Sequence, residues 1–194
     1  MPSLETLDLS TGLPNLKRID LQYNRALKEL KLPTWHYNEE TKQNEKFVLN
    51  SLNLMRCDAL DYVNSTTKGT YNFEGIKIKA VKSSDLFRIG NEPTYISSTK
   101  LKDNTVTKQV LNLDYDGPGG GLFYRLTQLE KVTGTLRLYG SAFAAFAKCT
   151  ALSAYPTFAA SETGKKITNS GYTFHNATKT PGSVKESYLT VFIH

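Results

Sequence analysis

Asn112, Asp114, Asp116 and Gly117 spell N-x-D-x-D-G, the opening of a calcium loop in which alternate oxygen ligands wrap a hard cation before a glycine turn. The twelfth position of such a loop falls on Phe123, where the bidentate Glu would stand. The row therefore reads as the outward side of a strand entering a turn, with Leu111 and Leu113 pointing inward. The G-P-G-G-G run at 117–121 lacks the Lys and Ser of a phosphate loop, and G-x-G-x-x-G spacing fails at Leu122. It reads as a turn.

For nucleophilic or acid–base chemistry, no motif joins His36, His175 or His194 to Cys57, Cys149 or a serine. Glu39 and Glu40 are adjacent in a polar stretch, and adjacency does not supply the facing carboxylates of glycoside hydrolysis. The sequence thus predicts a chain without catalytic residues, metal or cofactor. Trp35, His36 and Tyr37 are the binding candidates: consecutive rings in a polar segment suit stacking on a sugar or packing on a protein partner. The opposing reading is a set of loop aromatics folded back over the core. Cys57 and Cys149 lie 92 residues apart, without zinc-site spacing, and read as buried thiols.

The elements that must position these residues are repetitive. Residues 16–24 give L-x-x-I-x-L-x-x-N through Leu16, Ile19, Leu21 and Asn24, and residues 49–57 give L-x-x-L-x-L-x-x-C through Leu49, Leu52, Leu54 and Cys57. Both match the leucine-rich-repeat segment, a short strand ending in an inward Asn or Cys that satisfies turn carbonyls. Taking 7/9, 30/32, 52/54, 76/78, 111/113 and 136/138 as strand markers, the steps are 23, 22, 24, 35 and 25 residues. The long step is one coil plus an insertion. Leu16 to Leu21 lies between the first two markers and is placed on the opposite wall of a coil or in a half-repeat. Insertions are expected at 33–46, a protruding loop, at 83–108, and at 114–121, where turn formers are too dense for a strand to cross. Helical spacing of Phe143, Phe146 and Cys149 predicts a short helix near residues 143–148, and 186–193 alternates as a last strand.

Composition sets outer limits. With 194 residues and 39% hydrophobic residues, the chain can bury a core and is not disordered as a whole. No apolar run approaches the ~18 residues of a spanning helix, and the start, MPSLETLDLS, is not a secretory signal. An exported chain would have lost that signal or carry it elsewhere. The net charge of +6 is scattered, unlike the concentrated patch of a nucleic-acid reader. Its one cluster, Lys77, Lys79 and Lys82, alternates with Ile76, Ile78 and Val81 and reads as the solvated side of a strand.

The run AFAAFAKCTALSAYPTF at 142–158, an aromatic-rich segment followed by Cys-Thr-x-Leu and a strand near proline, resembles the BspA-like bacterial surface leucine-rich-repeat proteins and related repeats in Bacteroidetes and their phages. A fainter copy, TFHNATK at 173–179, carries Asn176 and Ala177 where Gly-Cys or Asn-Cys is expected. The resemblance implies a non-catalytic recognition or adhesion module for protein or glycan at a bacterial cell surface, or a phage fibre or tail-tip component used in host recognition. It supplies no ligand residues. The combined expectation is mainly β structure with short helices, one parallel leucine-rich-repeat solenoid over 1–194. That solenoid is either part of a longer array or covered at its first coil by a neighbouring subunit.

Overall fold

A computed structural model describes residues 4–82, 84–89 and 109–177. Along them run strands β1 (Thr6–Asp8), β2 (Arg18–Asp20), β3 (Glu29–Lys31), β4 (His36–Asn38), β5 (Gln43–Glu45), β6 (Phe47–Leu49), β7 (Ser51–Asn53) and β8 (Tyr62–Val63), then β9 (Thr70–Lys79), β10 (Phe87–Arg88), β11 (Gln109–Pro118), β12 (Leu129–Ser141), β13 (Thr157–Phe158) and β14 (Ile167–Asn169). One sheet is ordered β1-β3-β8-β9-β11-β12-β13, with β6 also on β9 and β14 on β12, and a second is β10-β7-β2. Every pair in both sheets is parallel. Only the β4–β5 hairpin is antiparallel among the described residues. The described part is thus mainly β and mostly parallel, with no helix, and no helix long and apolar enough to cross a membrane.

Leu7 pairs with Leu30, as the first marker step predicts. The next steps differ: Leu30 pairs with Val63, whereas Leu52 pairs with Ile19 and Phe87 in the second sheet. Ile19 of the Leu16 to Leu21 segment therefore lies in the second sheet, and Leu52 of the 52/54 marker lies there with it. Leu111 and Tyr115 stand opposite Val132 and Leu136, four residues from the predicted match. A further departure lies on β9, where Tyr71 and Phe73 point inward, and then Ile76 and Ile78 do. The parity flips at a bulge containing Gly75 (φ 77), across which the partner register jumps from Asn72 to Lys77.

The corners carry the repetition most plainly. Asn24 N–H donates to Leu21 O and Leu27 N–H to Asn24 O, and the same double turn recurs at 54–60, 123–129 and 146–152. Before its central residue each corner has a positive-φ residue: Tyr23 (65°), Arg56 (61°), Arg125 (59°) and Lys148 (62°). A fifth begins at Phe174, where Asn176 (59°) precedes buried Ala177, so Ala177 takes the Cys position. Alternate N–H groups donate across to the next corner, as Tyr23 does to Met55 O, Phe123 to Ala145 O and Phe146 to Thr173 O.

This alternation explains why no helix forms near 143–148. Ala145, Ala147 and Cys149 donate three residues back, but Ala144, Phe146 and Lys148 donate to Gly171, Thr173 and His175. Ala144 and Lys148 also take positive φ, which an α-helix does not admit. Inside the corners Phe87, Phe123, Phe146 and Phe174 form a column with centroid separations of 6.2, 4.7 and 5.1 Å. The thiols complete it: Cys57 Sγ donates to Leu21 O (3.1 Å) and Cys149 Sγ to Phe123 O (3.0 Å), each on the preceding corner. Both cysteines are free and buried. Burial pushes the Cys57 thiol up to about 12 and Cys149 higher still. Buried and held as thiols rather than thiolates, both should resist a thiol-specific reagent in buffer and react in denaturant. Labelling in buffer would place the thiols elsewhere.

The expected break at 114–121 is not a break, because β11 runs through Pro118. Pro118 lacks the N–H that would continue the ladder from Asp116 O, which accepts from Ala80 N, to Ala80 O. Tyr139 replaces it, its buried hydroxyl donating to Ala80 O at 3.1 Å. Burial holds that hydroxyl above the ordinary phenol range, so it stays a donor. Tyr139→Phe should cost about 1–3 kcal/mol by leaving a buried carbonyl unsatisfied. An unchanged midpoint in urea would refute the replacement. The loop expected at 33–46 is the β4–β5 hairpin. Of the insertion expected at 83–108, β10 is a strand, and 83 and 90–108 lie outside the described residues, as does the last strand expected at 186–193.

Candidate functional site

Strand alternation turns Lys77 and Lys79 of β9, Asn112, Asp114 and Asp116 of β11, and Thr135 and Arg137 of β12 away from the core. Their charges interlock. Asp114 sits between Lys46 (2.8 Å) and Arg137 (2.7 Å). Glu162, between β13 and β14, reaches Lys77, Lys79 (3.3 Å) and Arg137 (3.8 Å). The hydrogen bond from Lys77 outweighs partial burial and holds the Glu162 carboxyl below its usual range, with help from Lys79. Asp116 is fully buried and accepts from Ser161 Oγ (2.7 Å) and Glu162 N (3.0 Å), which pins this strap across the sheet.

The calcium-like row therefore lies along one straight strand, and Asp114 and Asp116 are both occupied by protein partners. Among the described residues no three His, Cys, Asp or Glu gather to hold a metal. The lysine pair faces outward as expected, but Lys77 and Lys79 are ion-paired and partly covered.

Beside this network lies a cleft of about 250 Å3 lined by Trp35, Lys46, Phe73, Glu74, Gly75, Asn112, Asp114, Gly134 and Thr135. It forms where β9 bulges at Gly75 and β12 passes through Gly134 at φ 90°, both beside Leu113 of β11. Trp35 closes one side. A Cβ on Gly75 would come within 2.5 Å of Trp35 Cδ1, so the indole presses on bare backbone while half its surface (50%) stays exposed.

Of the three predicted binding residues, Trp35 lines the cleft. His36 and Tyr37 follow on β4, where alternation sends them to opposite faces. His36 meets the Phe47 ring edge-on at 6.4 Å, and Tyr37 is exposed on the hairpin. The three rings do not form one surface. Trp35 and His36 each fold back on the protein, onto Gly75 and Phe47, while Tyr37 stands free of both. Sequence reasoning missed Glu74, Gly75, Gly134 and Thr135, although a lone glycine inside an alternating run is a recognised sign of a bulge. Comparison with protein-family models, curated proteins and solved structures finds no match to this chain.

Proposed function

We propose that the chain is a non-catalytic recognition module, a parallel solenoid of leucine-rich-repeat type that binds its ligand at a bacterial cell surface through the Trp35 cleft. The recurring double-turn corners and the N–H groups donated from each to the next support the solenoid reading. The observation that carries the binding reading is the position of the chain's one tryptophan: half exposed, seated on a glycine, at the rim of a polar cleft. Concave sites mixing apolar lining with a few convergent polar groups are where proteins take small ligands. A binding role fits the cleft better than hydrolysis, because Asp114 is engaged on both oxygens by Lys46 and Arg137, which leaves Glu74 without a second free carboxylate.

Replacing Trp35, His36 and Tyr37 together with alanine should abolish adhesion of the labelled protein to whole bacterial cells while the unfolding midpoint stays within a few degrees. Adhesion that survives the replacement would move the site elsewhere on the molecule.

A further inference from the structure

We infer that the cleft beside Trp35 takes one uncharged pyranose ring of a glycan, an inference that rests on the recognition reading above. The size of the cleft sets the first limit. At about 250 Å3 it lies just under the ~300–1,000 Å3 of pockets that enclose drug-sized molecules, which is room for a single ring with one side open to solvent.

The chemistry of its walls sets the second. A pyranose presents an apolar C–H face and a rim of hydroxyls, and both have counterparts here. The half-exposed indole of Trp35 offers a rigid apolar platform that its seat on Gly75 fixes in place. Opposite the apolar requirement stand polar groups with capacity to spare: among the described residues neither the Glu74 carboxylate nor the Asn112 side-chain amide has a side-chain partner. A carboxylate accepts two hydroxyl donors, and an amide both donates and accepts.

Charge sets the third limit. The cleft's cation, Lys46, is neutralised by Asp114, which Arg137 also holds. The neighbouring cations Lys77 and Lys79 share Glu162 with Arg137. Lys46, Lys77, Lys79 and Arg137 stand against Asp114, Asp116, Glu162 and Glu74, so the described charges around the cleft balance, and Glu74 at the rim repels the carboxylate of an acidic sugar. An uncharged ring brings no charge that must be compensated.

The single tryptophan makes the test direct. Methyl glycosides of glucose, galactose, mannose and N-acetylglucosamine, with glucuronic acid, N-acetylneuraminic acid and choline as charged controls, are titrated to ~50 mM, well above the ~1 mM affinity of a weak single-ring site. Trp35 emission and saturation-transfer NMR report contact. At least one neutral glycoside should shift the emission saturably, the charged controls should not, and Glu74→Gln should weaken the neutral ligand about tenfold at an unchanged unfolding midpoint. A response confined to the acids or to choline overturns the neutral-ring inference, and so does silence from every neutral glycoside. If silence coincides with cell adhesion that the triple alanine variant abolishes, the recognition reading stands and the sugar inference alone falls. Absence of adhesion by the unaltered protein removes the recognition reading itself.

Discussion

Leu52→Asp should leave a chain that shows no cooperative unfolding transition at any temperature. Leu52 is fully buried at the centre of β7, the middle strand of the second sheet, paired with Ile19 on one side and Phe87 on the other. Its N–H donates to Leu86 O, so the backbone there cannot turn the side chain outward without breaking the sheet. Truncation alone, as in Leu52→Ala, should cost about 2–5 kcal/mol. At roughly 2–4 °C per kcal/mol for a chain of this length, that is a loss of about 4–20 °C. An aspartate adds the cost of a charge with no buried partner, several kcal/mol more. The sum reaches the whole ~5–15 kcal/mol by which such proteins are stable. The control is Leu4→Asp, at a side chain that is exposed and should shift the midpoint little. Circular dichroism melts of the three variants decide it, and a cooperative melt for Leu52→Asp near that of the unaltered protein would show that the two-sheet arrangement is wrong.

That expectation was accessible from sequence because apolar residues at period two announce a strand whatever its partner. Partners were another matter. Equal spacing of markers assumes that all of them pair within one sheet, and here they are divided between two. Leu30 and Leu52 look like successive rungs, yet they belong to different sheets. A bulge defeats the counting again at Gly75, since the extra residues flip every later side chain on β9 to the other parity. The corners were legible in Asn24 and Cys57, whose side chains donate to Leu21 O as expected, but their backbone was not. Their positive-φ positions hold Tyr23, Arg56, Arg125, Lys148 and Asn176, and apart from Asn these types carry no turn signal. Hydrogen bonds to the next corner, rather than intrinsic preference, keep them there.

The candidate site was legible in one residue of three. Trp35 stands out as a lone tryptophan in a polar segment, but what makes it a site is its seat on Gly75, 40 residues away, and the groups of β11 and β12 beyond. Asp114 was noticed for calcium, because the spacing N-x-D-x-D-G is the same whether the residues wrap an ion or line one side of a strand. Only Lys46, from the link between β5 and β6, and Arg137, from β12, tell the two apart.

Gly134→Ala tests the backbone from which the cleft is made. Gly134 lies in β12 at φ 90°, and a Cβ there would stand 2.2 Å from Leu113 O and 2.8 Å from its carbonyl carbon. Those are backbone atoms of the adjacent strand, so no rotamer change relieves the contact. Either β11 and β12 part locally, surrendering ladder hydrogen bonds, or residue 134 leaves the left-handed region and carries Thr135 with it. The conformational strain alone is about 1–3 kcal/mol, and with the clash the loss should reach about 3–5 kcal/mol. Gly140→Ala separates the two contributions, since Gly140 has φ 61° on the same strand with nothing within 4 Å of a Cβ; it should cost about 1 kcal/mol. Urea unfolding of both variants gives the difference. Because Thr135 and Gly134 both line the cleft, Gly134→Ala should also abolish ligand binding at temperatures where it remains folded, while Gly140→Ala binds normally. Equal stability and equal binding in the two variants would mean that β12 does not pass Leu113 at this distance, and the cleft would lose its floor.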